Sequence, residues 1–264
     1  MTRALILAAG QGTRLRPLTN DRPKCLVPLL GKSLLEHQVA TLRYCKVDDI
    51  HIATGYRADQ IESLGFETSF NPNFDSTNMV ESLFCATPFI EKDLTQDLVI
   101  SYGDIVYQPS RLQRLLTANS EIALLSDTNW RALWSLRLEN PLEDAETFRV
   151  DKDGRVLELG KIPNDYSEIQ GQYTGLIKIR SDVIAKVANF YKSLDREATY
   201  DGKDFQNMYM TSFLQQVIER DFDVRAIPVA SGWLEVDSVE DLECYESMAS
   251  RGTLSPFWDP EEAA

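Results

Sequence analysis

Between residues 7 and 24 the chain reads Leu7-Ala8-Ala9-Gly10-Gln11-Gly12-Thr13-Arg14-Leu15-Arg16-Pro17-Leu18-Thr19, followed by Pro23-Lys24. An apolar run ending in closely spaced glycines lets the backbone approach a ligand and turn successive N–H groups toward an anion. Arg14 offers a planar, permanently charged donor fork suited to β- and γ-phosphates. Lys24 is a point charge suited to an α-phosphate, where negative charge builds up during transfer. Leu7, Ala8, Ala9, Gly10, Gly12 and Thr13 are therefore expected to line an NTP site, with Arg14 and Lys24 as its catalytic cations. The spacing is not the dinucleotide fingerprint, because Leu15 replaces the third glycine, and it is not a P-loop. A plain glycine turn with solvated arginines is the bland alternative; the full string with its Pro-Lys weighs against it.

The overall charge sharpens this reading. With 27 Lys and Arg against 41 Asp and Glu, the formal net charge is −14. Such a surface argues against nucleic acid or an anionic membrane as partner. An acidic protein that binds a triphosphate must gather its positive charge locally, and Arg14, Arg16, Arg22 and Lys24 do so within one short stretch. The four cysteines (Cys25, Cys45, Cys85, Cys244) lack metal-ligand spacing and most have apolar neighbours, as in a reduced, cytoplasmic protein. The N-terminal apolar run is too short for an export signal, and no stretch is long enough for a membrane helix.

The elements that must position these residues alternate in the first half. Arg3 to Ala9 reads as a buried strand, Ser33 to Cys45 as an amphipathic helix and Ile50 to Thr54 as a second strand. Asn78 to Ala86 can start a helix, with Asn78 as N-cap and Glu81 as its reciprocal partner. Leu98 to Tyr102 and Glu121 to Ser126 are strand-like. This alternation predicts an α/β fold, a Rossmann-like, mostly parallel (mixed) sheet with helices on both faces. After about residue 127 the pattern changes to a hairpin turning at Asp153-Gly154, then a strand at Gln172 to Ile179. Helices follow at about 182–194 and 209–220, strands at Val224 to Val229 and Trp233 to Val236, and a last helix capped by Ser238 and Asp241. One domain over residues 1–255 is expected, with a small β-rich, acceptor-side insertion at about 128–180. Residues 256–264 are expected to be an acidic flexible tail.

The residue 7–24 string resembles the signature of the nucleotidyltransferases that include sugar-nucleotide pyrophosphorylases and bacterial phosphocholine cytidylyltransferases. That resemblance implies an NTP substrate, Mg²⁺ as cofactor, and two carboxylates for the metal. Asp104, just past Leu98-Val99-Ile100-Ser101-Tyr102-Gly103, matches the first, and Asp237 in Glu235-Val236-Asp237-Ser238 matches the second. Two hard carboxylates suit an octahedral ion whose other ligands are water and phosphate oxygens. Asp104 as a turn residue and Asp237 as a helix-start carboxylate are the plainer readings. His37 and His51 fall inside predicted elements, so no histidine-dependent step is expected.

In place of the Gly-rich segment typical of sugar-nucleotide members, the chain has Asp75-Ser76-Thr77-Asn78-Met79-Val80-Glu81-Ser82-Leu83-Phe84. This is similar to the N-x-x-x-S-L segment of phosphocholine and 2-aminoethylphosphonate cytidylyltransferases. A relative acting on glutamine phosphoramidate in capsule modification falls in the same branch. The implied partners are CTP and a small phosphorylated acceptor, with Asn78 and Ser82 on one helix face near the nucleotide. A sugar-1-phosphate nucleotidylyltransferase and a non-catalytic nucleotide sensor are the alternatives. For the acceptor, Trp130, Trp134, Tyr173 and Trp233 are candidates for an aromatic cage around a choline-like head. Arg131 or Arg137, with Glu146 or Glu235, would suit an amino-acid-like acceptor, and Lys161 is a candidate for its phosphate. The sequence leaves the acceptor and the oligomeric state open.

Overall fold

The computed structural model describes residues 1–262. Its main sheet has seven strands: β1 (Thr2–Ala8), β2 (Ile50–Thr54), β3 (Glu67–Phe70), β4 (Asp97–Tyr102), β5 (Ile122–Asp127), β6 (Gln172–Ile179) and β7 (Val224–Val229). Their order across the sheet is β7-β5-β6-β4-β1-β2-β3. All neighbours run parallel except β6, which lies antiparallel to both β4 and β5. Residues of β1 from Ala4 to Ala8 are all buried, the near-continuous apolar run of a strand covered on both faces.

Helix α1 (Leu34–Tyr44) starts at a capping box between Ser33 and Glu36. It packs with α4 (Val239–Ser250) in one core layer that includes Leu34, Leu35, Leu42, Leu242 and Tyr245. On the opposite face, α2 (Met79–Cys85) and the helix Met210–Glu219 bury Val80, Leu83, Phe213, Leu214 and Val217. Helix α3 (Trp130–Arg137) follows β5, and the hairpin Phe148–Val150 with Val156–Leu159 follows α3.

Strand β1 is the point from which the sheet grows in both directions, with β4 on one side and β2 on the other. A crevice opens at the carboxyl ends of strands at such a switch point, and ligands of open α/β sheets bind there. Leu7 lies opposite Tyr102, so the loop after β1 and the Gly103-Asp104 turn emerge side by side. The Gly103 N–H donates to Leu7 O at 2.9 Å. A Cβ on Gly103 would stand 2.6 Å from that same oxygen, so only glycine permits this approach.

The second carboxylate arrives by long-range pairing. The short strand Ile105–Tyr107 runs antiparallel to Trp233–Glu235, with Ile105 opposite Glu235. Val236 N–H then donates to Asp104 O at 2.9 Å, which sets Asp237 beside Asp104.

The structure departs from the sequence expectations in two places. Glu81 does not close a capping box on Asn78; its carboxylate accepts from the Tyr191 hydroxyl at 3.0 Å instead. Nor do residues 256–262 behave as a loose tail. Trp258 is buried and meets His37 edge-on at 5.1 Å, and the Glu262 carboxylate accepts from Gln108 and from Ser110 N–H. Burial of a tryptophan outweighs the acidic composition around it. Residues 263 and 264 lie outside the described residues.

Candidate active site

The glycine loop closes down on Lys24. Gly12 has φ +63°, and a Cβ there would lie 2.9 Å from Lys24 Cβ and 3.2 Å from Thr19 Cγ2. Thr19 Oγ1 donates to Gly12 O at 2.8 Å, fixing the loop's return. From this base Lys24 reaches between the two carboxylates, donating to Asp104 Oδ2 at 2.8 Å and Asp237 Oδ1 at 2.6 Å. Arg14 pairs with the other oxygen of Asp237 while most of its own side chain remains exposed.

The electrostatics of this group follow from burial opposed by charge. Burial lowers the Lys24 pKa, but the two carboxylates outweigh it and hold the ammonium charged well above its ordinary range. Burial likewise works to raise the Asp237 pKa, and Lys24 and Arg14 outweigh it to keep that carboxylate ionised. Asp104 Oδ1 is buried and has no hydrogen-bond partner within the chain. An orphaned carboxylate oxygen beside a second carboxylate suits a hard cation with oxygen ligands. Among the described residues, no group of three or more His, Cys, Asp or Glu is arranged to hold a metal. A cation held by Asp104 and Asp237 would need water or a bound phosphate for the rest of its ligands.

Behind this pair lies Arg137, a sequence candidate for the acceptor. Arg137, at the end of α3, is almost fully buried. It donates through Nε and NH2 to both oxygens of Asp241 at 2.8 and 3.1 Å, and through NH1 to Glu235 at 2.8 Å. Asp241 in turn accepts from Asp237 N–H at 3.0 Å and Ser238 N–H at 3.1 Å. Arg137 thus braces the turn that carries Asp237 and does not face a ligand. The partner of Arg137, Glu235, has its pKa raised by burial, with Arg137 opposing.

In front of the carboxylates is a cavity of about 300 Å³. Trp134, Tyr173 and Trp233 give it aromatic lining, Asp144 and Glu146 add carboxylates, and Asp104, Glu235, Asp237 and Arg14 line it as well. Of the acceptor candidates, Tyr173 and Glu235 line this space, but Trp130 and Lys161 do not. Trp130 turns into the core, with Trp134 and Tyr166 each 6.1 Å away between ring centroids. Trp130 and Trp134 sit one helical turn apart, and periodicity alone cannot say which of the two meets the cavity. Lys161 pairs with Glu158 at 2.9 Å and borders a separate surface groove. Arg131 lies over the Tyr166 ring at 3.8 Å, away from the cavity. Asp144, Gln172 and Thr174 line it too; none was named as an acceptor contact, though all three fall in the 128–180 segment expected on the acceptor side.

Burial pushes the Glu146 carboxyl up to about 7, with Glu235 and Asp144 adding repulsion. Among the described residues it has no ion-pair partner. A smaller pocket of about 120 Å³ adjoins the glycine loop, lined by Leu7, Ala9, Gly10, Phe74, Asn78 and Ser82. Asn78 borders both spaces.

A family model described as "MobA-like NTP transferase domain" matches residues 4–157, more than half the chain. The chain belongs to the MobA-like NTP transferase family. Within it, the chain is 43% identical over 247 residues to CTP:phosphoglutamine cytidylyltransferase of Campylobacter jejuni, covering 91% of this chain and 97% of that one. It is 34% identical over 110 residues to choline-phosphate cytidylyltransferase of Streptococcus pneumoniae, covering 40% of this chain and 46% of that protein. The solved CTP:phosphocholine cytidylyltransferase of S. pneumoniae superposes with a TM-score of 0.68 at 23% identity, over 94% of this chain and 99% of that one. That likeness shows the shared fold. The protein is a nucleotidyltransferase with cytidylyltransferases among its relatives, and no helix in the described residues is long and apolar enough to cross a membrane.

Proposed function

We propose that this nucleotidyltransferase transfers CMP from CTP to a small, non-sugar phosphate, phosphonate or phosphoramidate, releasing pyrophosphate. The observation that carries this reading is the cavity in front of the Lys24–Asp104–Asp237 group, aromatic on its walls and acidic along its length. An oxygen of the acceptor phosphoryl group attacks the α-phosphorus in line, the new P–O–P bond forms, and the bond to pyrophosphate breaks. An ionised phosphate is already a nucleophile, so no side chain has to remove a proton from it. Backbone N–H groups of the glycine loop and Arg14 hold the triphosphate, and Lys24 offsets charge developing on the α-phosphate. Asp104 and Asp237 would hold Mg²⁺, which supplies Lewis-acid charge and orientation at the α-phosphate when bound. Arg137 keeps the Asp237 turn in place.

The far end of the acceptor is read from what the cavity leaves unpaired. Asp144 and Glu146 suit an ammonium group. Trp134 and Tyr173 line the cavity, and Trp134 Nε1 and the Tyr173 hydroxyl are buried without a hydrogen-bond partner within the chain; as donors they suit an oxygen acceptor. An amino-acid-like, zwitterionic end satisfies both sets, whereas a trimethylammonium group offers nothing to the donors. The similarity to a phosphoglutamine cytidylyltransferase supports the same choice.

Pyrophosphate release over four NTPs, crossed with phosphoglutamine, phosphocholine, 2-aminoethylphosphonate and sugar-1-phosphates, tests the reading. Turnover is expected with CTP and an amine-bearing acceptor; turnover confined to sugar phosphates overturns it. Tight CTP binding without any turnover identifies a sensor instead.

A pH dependence follows from Glu146. A carboxyl raised to about 7 is neutral below that pH and charged above it. The KM for an ammonium-bearing acceptor should therefore fall as pH rises from about 6 to 8. In Glu146→Gln this part of the profile should vanish and KM should rise about tenfold at pH 8, for loss of one partly buried charge contact. Titration of the acceptor's own phosphate persists in both proteins, so the difference between their profiles isolates Glu146. Identical profiles would place the ammonium elsewhere.

A further inference from the structure

Resting on the reading above that the cavity takes the acceptor, we infer that Asp127 is a positioning residue for transfer, setting the acceptor's fit through the indole of Trp233. Asp127 ends β5, is buried, and is not among the residues that line the cavity. Both its oxygens accept from N–H groups. Oδ1 takes Asn129 N–H and Ser231 N–H, each at 2.8 Å, and Oδ2 takes Trp233 Nε1–H at 3.0 Å. A buried carboxylate has to be satisfied by donors, and two of these three come from the turn that leads into the Trp233–Glu235 strand.

That turn is unfavourable by itself. Ser231 has φ +58° and Gly232 follows at +86°. Left-handed backbone at a residue with a Cβ persists only where its surroundings over-determine it. Here they do. Asn129 Nδ2 donates to Ser231 Oγ at 2.8 Å and Arg111 Nε to Ser231 O at 2.8 Å. Gln108 N–H donates to Gly232 O at 2.9 Å, and Gly232 N–H donates to Phe257 O at 2.6 Å. Further on, Trp233 pairs with Tyr107, and Val236 N–H meets Asp104 O. The backbone on the way to Asp237 therefore has supports of its own, whatever Asp127 does.

The indole is different. Among the described residues, Asp127 Oδ2 is the one acceptor for Trp233 Nε1–H. Trp134 lies 6.0 Å from the Trp233 ring between centroids, at 45° between planes, a contact that does not by itself fix where the indole N–H points. Both tryptophans line the cavity, so the angle between them shapes the space an acceptor enters. Asp127 thus holds one aromatic lining residue by its polar edge, from outside the cavity.

The test is Asp127→Asn. Its amide oxygen keeps the two backbone N–H groups, which leaves Nδ2 facing the indole N–H, donor against donor. Steady-state rates with CTP and phosphoglutamine should show the acceptor KM about tenfold higher, with kcat and the CTP KM within about twofold of wild type. Trp233→Phe removes the opposed donor. In that background Asp127→Asn should change the acceptor KM by less than about twofold, so that the two substitutions couple. A purely structural role for Asp127 gives equal losses in both backgrounds, and that result, or an unchanged acceptor KM in Asp127→Asn, overturns the inference. Proton–nitrogen correlation spectra of the indoles give a readout that needs no turnover. The Trp233 signal, assigned by its NOE to the Ser231 N–H that shares Asp127, should exchange slowly with solvent in wild type and shift when phosphoglutamine is added. Fast exchange of that signal in wild type overturns the inference even where a variant does not fold. Wild type that turns over only sugar phosphates would sink the acceptor reading, and the same KM ratios measured with the sugar phosphate still decide the role of Asp127.

Discussion

Asp104→Ala is expected to abolish metal-dependent transfer, lowering kcat by on the order of a thousandfold or more. The reason lies in how little redundancy surrounds this carboxylate. Asp104 and Asp237 are the two carboxylates that meet Lys24, the nearby Glu235 is engaged by Arg137, and among the described residues no group of three or more His, Cys, Asp or Glu is arranged to hold a metal. Asp104 also owns the buried oxygen that has no partner within the chain. Its removal would take away one of the two proposed metal ligands and, at the same time, leave Lys24 held by Asp237 alone. Pyrophosphate release at saturating substrates measures the effect, and thermal unfolding shows whether the fold survives. Mn²⁺ binding in the presence of CTP, followed by electron paramagnetic resonance, should weaken in parallel. Normal turnover in Asp104→Ala would mean that the metal is held elsewhere. Asp104→Asn separates charge from shape, since it keeps an oxygen but removes the negative charge, and it should be nearly as damaging.

Lys24→Met should lower kcat about a hundredfold, the scale for removing one preorganised charge at a developing anion. Its KM for CTP should change far less if, as proposed, Arg14 and the loop N–H groups hold the β- and γ-phosphates independently. Two effects add. On the proposed role the α-phosphate would lose its neutralising charge, and Asp104 and Asp237 lose the ammonium that lies between them at 2.8 and 2.6 Å. Lys24→Arg should not restore activity, since a planar guanidinium cannot replace a compact ammonium within this space. Steady-state kinetics on the three proteins decides the matter. An unchanged kcat in Lys24→Met would remove Lys24 from the transfer step and leave it a structural bridge.

Much of the fold was legible because local rules and global topology agree. The strand–glycine–loop sequence at residues 3–24, the Asp153-Gly154 hairpin and the Ser238–Asp241 capping box all appear where spacing places them. What escaped depends on partners far away in the chain. Glu81 has the right spacing for a capping box, but Tyr191 claims it from a helix more than a hundred residues on. Residues 256–262 look solvated by composition, yet the apolar pair Phe257-Trp258 is drawn against the core. In the site, the loop and the two aspartates converge because β1, β4 and the 233–235 strand end at one place. Which tryptophan of α3 faces the cavity, and whether Arg137 meets ligand or carboxylate, is set by how α3 docks on α4.

That docking bears on how the acceptor preference of this protein can be redesigned. Trp134, which walls the cavity, and Arg137, which braces the Asp237 turn, share the last turn of α3, and the guanidinium lies 5.2 Å from the Trp134 ring. Mutagenesis that recontours α3 therefore risks disturbing the catalytic centre along with selectivity. Asp144, Glu146 and Gln172 reach the same cavity from outside that brace. They are the positions at which a library can explore new acceptors with the least damage to turnover.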